Sequence, residues 1–159
     1  MRVLIAGANG FLSRHLIPRL ESFDSYEVIR ATRDNFSEEL IKNVKPEMVI
    51  NTVNEYSNTI SDIYDSNLVF GIKLLKFLEN MNKNVTFINC STALPKNYNI
   101  YALSKHQFEE FALNFRPSNV NFINLKMQSF FGFNLSENLI SYVINNCRDN
   151  KPVLLSTGK

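Results

Sequence analysis

Val3-Leu-Ile-Ala6-Gly-Ala-Asn-Gly10-Phe-Leu-Ser13 opens the chain and decides its fold. A run of only apolar residues, Val3 to Ala6, stopped by Gly7, is the pattern of a central parallel strand covered on both faces. Beyond it Leu12, Leu16, Ile17 and Leu20 recur at helical spacing. Strand, glycine turn and helix make the first half of a dinucleotide-binding unit. Gly7 permits the tight turn, Gly10 lets backbone N–H groups approach a pyrophosphate, and the helix adds its positive end. Asn9, Gly10, Phe11 and Leu12 are then the expected contacts on the bound dinucleotide. By itself the pattern is equally that of a plain strand-turn-helix connection. Pro18 lies inside the helical pattern and should kink or shorten the helix.

Working outward, strands and helices alternate along the rest of the chain. Tyr26 to Arg33 reads as a second strand running into a loop, and Phe36 to Lys45 as a short helix. Met48-Val-Ile-Asn51 is another buried strand, ending in Thr52-Val-Asn54, and Ser61 to Asn80 has one long helical pattern. Val85 to Cys90 forms a strand that delivers Ser91 and Thr92. A helix begins at Tyr101 and ends at Pro117, and Val120 to Leu125 is a further strand. A helix over Ser136 to Asn146 and a strand over Val153 to Leu155 complete the pattern. This alternation predicts an α/β fold: a doubly wound, Rossmann-type, mostly parallel sheet with helices on both faces and its ligand at the C-terminal strand ends.

The chemistry is concentrated in Tyr101-Ala-Leu-Ser-Lys105. On a helix the phenol and the ammonium, four residues apart, rise from one face about a turn apart. A tyrosine with a pKa of about 10 is a poor acid or base near neutrality. A lysine held close favours the phenolate, and in a low-dielectric pocket moves its pKa toward working pH. Ser91 at a strand end is placed to hold the substrate oxygen on which the proton arrives or departs. Strand-end hydroxyls also serve simply to bond loop backbone.

A glycine-rich first turn, a Ser/Thr after a later strand and a Tyr-x-x-x-Lys helix together resemble the short-chain dehydrogenase/reductase superfamily. More narrowly, the chain resembles the extended branch acting on nucleotide-activated sugars, the epimerases, dehydratases and 4-ketoreductases. The likeness runs in order through the whole chain and stops at Lys159, about where that family's second domain gets under way. It implies that residues 1–159 form an NAD(P)-binding domain without a complete substrate domain. By the resemblance Tyr101 and Lys105 are catalytic, Ser91 is the catalytic hydroxyl with Thr92 as runner-up, and Lys105 also holds the nicotinamide ribose. Thr52 and Val53 lie along the cofactor, Asn54 being bulkier than the usual small residue there. Asn67 matches an asparagine common in the family's helix, where it bonds backbone and water near the active site. The family places a third glycine where this chain has Ser13, from which weaker helix–strand packing is expected but no loss of binding.

Cofactor and substrate preferences follow in the same way. Arg30 and Arg33 at the end of the second strand suit the 2′-phosphate of NADP(H), with Arg33 the preferred contact, so NADP(H) is favoured over NAD(H). Asp34 turned inward would reverse that preference. Lys126-Met-Gln-Ser-Phe-Phe-Gly132 resembles the family's Arg-x-x-Asn-x-Tyr-Gly segment, which makes Ser129 the candidate substrate contact. The short stretch between Ser91 and Tyr101, and the absence of an Asp-Glu pair after the hydroxyl, point to reduction or epimerisation in preference to dehydration.

Composition bounds the rest. With 45% hydrophobic and 20% charged residues in 159, the chain suits one ordinary globular domain. A net charge of +2 with scattered basic residues leaves no nucleic-acid or membrane footprint, and no apolar run reaches the roughly 20 residues of a membrane span. Cys90 and Cys147 are expected as reduced, buried thiols in a cytoplasmic protein. His15 and His106 have no partners in a metal-site pattern, so no metal is expected. The expected partner is a nucleotide-sugar, and a homo-oligomer follows if an apolar surface is left bare. The competing class is a non-enzymatic sensor or scaffold that keeps the fold and binds dinucleotide without chemistry.

Overall fold

Val3, Leu4, Ile5 and Ala6 are fully buried, and alternate residues enter two separate apolar clusters, so the first strand, β1 (Arg2–Ala6), is covered on both faces as its composition requires. The computed structural model describes residues 1–56, 59–128, 130 and 139–154. Four more parallel strands flank β1: β2 (Glu27–Ala31), β3 (Met48–Asn51), β4 (Val85–Thr92) and β5 (Val120–Met127), in the order β2-β1-β3-β4-β5. The chain goes from β1 outward to β2 and then returns to β3 on the other side. The strand order therefore reverses between β1 and β3, which opens a crevice at their C-terminal ends.

Helices lie on both faces. α1 (Phe11–Glu21) puts Ile17 into the cluster with Val3, Ile5 and Ile50. α2 (Glu38–Val44) buries Ile41 in the cluster with Leu4 and Val49 on the other face. The expected doubly wound α/β fold is present. α2 is shorter than its apolar pattern, because the Ser37 side chain accepts the Leu40 N–H at 3.0 Å and so starts the helix, and Lys45 ends it in a left-handed turn. α1 does not end before Pro18. It runs on to Glu21, since the proline removes only one N–H donor late in the helix.

The single helix expected over Ser61 to Asn80 is interrupted. α3 (Ile60–Tyr64), started by a reciprocal cap between Thr59 and Asp62, passes through a π-helical turn (Asp65–Val69) into α4 (Phe70–Glu79). α5 (Ile100–Phe115) begins where the Asn99 carboxamide accepts the Ala102 N–H at 2.8 Å, and ends at Arg116 in the left-handed region before Pro117. Phe108 of α5 packs against Phe87 of β4 and Phe122 of β5, with ring centroids 6.2 and 6.1 Å away.

The chain divides into two compact units, Met1–Gln128, which holds the sheet, and Ser129–Lys159. The second contains α6 (Leu139–Arg148). The expected start of this helix, residues 136–138, lies outside the described residues, and its end falls two residues beyond Asn146. Val153 and Leu154 are not in a strand, and Leu155 lies outside the described residues. The Leu154 N–H is donated at 3.2 Å to the Tyr142 phenol instead of to a strand neighbour. Both cysteines are free; Cys90 is half-buried, while Cys147 is exposed, against the expectation of burial. No helix among the described residues is long and apolar enough to cross a membrane.

α4 and α5 approach closely at Gly71, where an added Cβ would lie 2.7 to 2.9 Å from three ring atoms of Phe108. Phe108 is fully buried and wedged between two other rings, so it has nowhere to move. Gly71→Ala gains about 1 kcal/mol of helix propensity but incurs roughly 1–3 kcal/mol of overpacking. The variant should therefore unfold at a lower urea concentration than the parent; an unchanged or raised midpoint would show that α4 and α5 are not in contact there.

Candidate functional site

The crevice at the β1/β3 switch is built from small, mutually bonded groups. Gly7 has φ of 84°, a left-handed conformation, and its missing side chain leaves room for Thr52, whose hydroxyl oxygen would be only 2.8 Å from a Cβ. Gly7 and Ala8 both donate N–H bonds to the Ala31 carbonyl at 3.0 and 3.1 Å, which ties the turn to the end of β2. Gly10 caps α1 without a side-chain hydrogen bond, and no acid stands in the first turn of that helix. Its positive end is thus kept for an anion. Asn9, Phe11 and Leu12 belong to the same turn, where the Asn9 carbonyl accepts a bond from Arg14 at 3.0 Å.

Ser13 stands where the resemblance places a glycine. Its side chain is fully buried and its hydroxyl lies 2.7 Å from that of Thr52, which donates to the Ala6 carbonyl at 2.8 Å. The serine is accommodated because the facing strand end supplies a polar partner. Thr52 therefore joins β1, β3 and α1, a role that neither residue signals alone.

Tyr101 and Lys105 stand a turn apart on α5, as expected. Lys105 is 2% exposed, and its ammonium donates to the carbonyls of Val53 at 2.8 Å and Cys90 at 3.3 Å. Among the described residues it forms no ion pair. Burial pushes its pKa from 10.5 down to about 8, opposed by the Cys90 thiol. That thiol is itself pushed up by burial and pulled down by Lys105.

The phenol does not behave as the spacing suggested. Burial pushes the Tyr101 pKa up; hydrogen bonding with the Thr92 and Asn54 side chains opposes the rise, and Tyr56 adds to it. The Lys105 ammonium is directed at the two carbonyls and makes no hydrogen bond to the phenol. Of the two strand-end hydroxyls, it is that of Thr92 that opposes the rise in the Tyr101 pKa. Neighbouring residues on a strand face opposite ways. Ser91 is 3% exposed and its hydroxyl is buried without a hydrogen-bond partner, while the Thr92 oxygen accepts the Leu94 N–H at 3.2 Å.

Asn67, inside the π-helical turn, is 2% exposed. Its carboxamide accepts the Glu55 N–H at 3.0 Å and donates to the Glu55 carbonyl at 2.7 Å and to the Ser104 hydroxyl at 3.2 Å. Ser104 in turn donates to the Tyr101 carbonyl at 2.8 Å. Asn67 thus positions other site residues through their backbone. His106 is satisfied by the Leu94 carbonyl at 2.9 Å, and no group of three potential metal ligands occurs among the described residues.

At the end of β2 the two arginines differ. Arg30 is bound to both carboxylate oxygens of Glu21 at 2.8 and 2.9 Å. Arg33 and Asp34 are exposed and have no hydrogen bond or ion pair among the described residues. Ser129 lies outside the described residues. A further feature went unread in the sequence: Asn51 donates to Asn89 at 2.9 Å and Asn89 to Asn124 at 2.7 Å, a carboxamide ladder across β3, β4 and β5. Its signal was present, since Val-Ile-Asn51, Phe-Ile-Asn89 and Phe-Ile-Asn124 repeat one triplet.

Residues 3–159 match the model of the NAD dependent epimerase/dehydratase family. Among solved structures, the chain is similar to UDP-glucuronic acid 4-epimerase from Bacillus cereus in complex with NAD (TM-score 0.78, 16% identity, 96% of this chain and 64% of that one). It is similar to dTDP-glucose 4,6-dehydratase from Bacillus anthracis in complex with NAD (TM-score 0.76, 19% identity, 95% and 62%). It is also similar to RMD from Pseudomonas aeruginosa complexed with NADPH (TM-score 0.71, 16% identity, 94% and 62%). At these identities the likeness carries the fold. The chain spans less than two thirds of the length of each.

The buried ammonium has a measurable consequence. The folded protein holds the Lys105 proton more weakly than the unfolded chain, so the cost of burial is full below pH 8 and is relieved as pH rises toward 10.5. Measured by urea unfolding without cofactor, the parent should gain up to about 3 kcal/mol on Lys105→Met between pH 7 and pH 10. A stability difference that stays constant over that range would mean that the ammonium is hydrated.

Proposed function

The chain belongs to the NAD dependent epimerase/dehydratase family, and from that premise we propose that it binds NAD(P) and takes part in the oxidation, reduction or epimerisation of a nucleotide-activated sugar. One observation carries the reading: a phenol, a strand-end hydroxyl and a buried ammonium gather at the C-terminal ends of β3 and β4, next to an uncapped helix N-terminus. In this reading residues 1–159 are the dinucleotide-binding domain.

The residues present fit the dinucleotide. Gly7, Asn9, Gly10, Phe11 and Leu12 hold the pyrophosphate with backbone N–H groups and the positive end of α1. Thr52 and Val53 line the path toward Lys105, which holds the nicotinamide ribose. The cofactor, when bound, supplies or accepts hydride. Tyr101 exchanges the proton at the sugar oxygen, and Thr92 orients that oxygen. Asn67 keeps the first turn of α5 and the segment after β3 in register through Ser104 and Glu55. Lys105 keeps its charge at neutral pH, since its pKa of about 8 lies above 7. Arg33 is the group left to take the 2′-phosphate of NADP(H), Arg30 being occupied by Glu21. The free thiols of Cys90 and Cys147 suit a cytoplasmic setting.

A non-enzymatic dinucleotide-binding module is the second reading. It is favoured by the Lys105 ammonium being spent on two backbone carbonyls. Cofactor binding without turnover of any UDP-, GDP- or dTDP-sugar would establish it.

Tyr101→Phe should lower turnover about 10²–10⁴-fold while NADPH still binds. Thr92→Val should be much more damaging than Ser91→Ala; the opposite ranking would return the hydroxyl role to Ser91. Arg33→Ala should weaken NADPH about tenfold or more in a fluorescence titration and leave NADH unchanged. Equal effects on both nucleotides would remove the preference for NADP(H).

A further inference from the structure

The turn after β2 is fixed at both shoulders. On one side the Ala31 carbonyl accepts the N–H groups of Gly7 and Ala8 at 3.0 and 3.1 Å, which fastens the strand end to the glycine turn. On the other, the Phe36 ring packs against Phe70 and Phe77 of α4 with centroids 4.7 and 6.0 Å away, and the Phe36 N–H is donated to the Thr32 carbonyl at 3.1 Å. Between the shoulders stand Arg33, Asp34 and Asn35, all exposed. Asn35 folds back on the turn. Its carboxamide oxygen accepts the Thr32 N–H at 2.7 Å and the Thr32 hydroxyl at 3.3 Å, and its amide donates to the Arg30 carbonyl at 3.0 Å. An exposed carboxamide is satisfied by water at little cost, so these bonds answer no burial. What they do is remove conformations from residues 30–35.

We propose that Asn35 is a specificity-determining positioning residue, whose carboxamide locks the turn after β2 so that Arg33, and not Asp34, meets the 2′-phosphate of NADP(H). The inference rests on the reading of Arg33 as the 2′-phosphate contact. Both lone pairs of the Asn35 oxygen are taken by Thr32, so the side chain is committed to the loop and acts through its backbone. Arg30 is held at both ends, its guanidinium by Glu21 and its carbonyl by Asn35. That shoulder cannot follow the tip, and Arg33 is the cation whose place the clamp controls.

Arg33 and Asp34 stand side by side in the turn, and one attracts what the other repels. A guanidinium grips a phosphate, whereas a carboxylate suits the 2′-hydroxyl of NAD(H). A turn free to roll presents both charges by turns and discriminates poorly. A turn held in one arrangement has already met the ordering cost of the arginine contact before the dinucleotide arrives. Removing the clamp should therefore be felt by the nucleotide that carries the 2′-phosphate and not by the one that lacks it, whatever the sugar.

The test is a set of fluorescence titrations with NADPH and NADH on the parent, Asn35→Ala, Arg33→Ala and the double variant, with circular dichroism melts to show each fold intact. Asn35→Ala should weaken NADPH about fivefold or more and leave NADH within about twofold of the parent, or tighter. The double variant should bind NADPH no more weakly than Arg33→Ala, because the clamp has nothing left to position. Equal losses for both nucleotides in Asn35→Ala would make the clamp a structural brace only and overturn the proposal. Losses that add in the double variant would overturn it as well, since Asn35 would then act apart from Arg33. If Arg33→Ala weakens NADPH selectively and Asn35→Ala does not, the inference alone falls. If Arg33→Ala leaves NADPH unchanged, the reading of Arg33 falls and takes the inference with it. The two failures are thereby distinguished.

Discussion

An ammonium buried without a carboxylate constrains everything near it. Lys105 has lost its water, and the protein answers with two backbone carbonyls, from Val53 and Cys90. For those carbonyls to be available, the sheet must run out on one side of β4. It does: the last residue of β3 paired with β4 is Asn51, opposite Asn89, so no β3 residue stands opposite Cys90. The lysine fills the notch left by a strand that stops early. The requirement then passes to the segment after β3, whose course is set by where Val53 must hold its carbonyl. Asn51 contributes by accepting the Val53 N–H at 3.2 Å. Strand length, lysine position and loop path are one constraint.

Much of the architecture was legible because it depends on patterns that burial enforces directly. Val3 to Ala6 had to be a central strand, and the spacing of Tyr101 and Lys105 had to put both on one side of α5. What could not be read is parity and partnership. Ser91 and Thr92 differ by one residue, yet a strand turns them to opposite faces, and which face meets Tyr101 depends on the side of the sheet that α5 covers. Arg30 and Arg33 look equivalent until Glu21, from the end of α1, takes the first. The π-helical turn was hidden because a single extra residue in a helix leaves the apolar periodicity of both flanks almost unchanged, and a long helix remains the simpler reading.

Ser13 shows how a departure from an expected residue is absorbed. A glycine there allows close packing by leaving space, whereas a serine fills that space with a hydroxyl that would be costly if orphaned. Thr52 supplies the partner and passes the bond on to the Ala6 carbonyl. The pair couples α1 to the segment after β3 that carries Val53. Two residues that look like independent small substitutions are one device, and it links the two halves of the crevice.

The asparagine ladder extends the same logic across the sheet. Carboxamides inside a sheet are costly unless each finds a partner, and here the register Asn51, Asn89, Asn124 pairs them in series. The series is not closed: the Asn124 amide nitrogen is buried with no partner, as is the Ser91 hydroxyl two residues beyond Asn89. At its other end the ladder reaches Val53 through Asn51, and so the carbonyl that holds Lys105. A loop alone would place that carbonyl only as accurately as the loop is stiff. Anchoring it to three adjacent strands makes the position of the ammonium a property of the sheet.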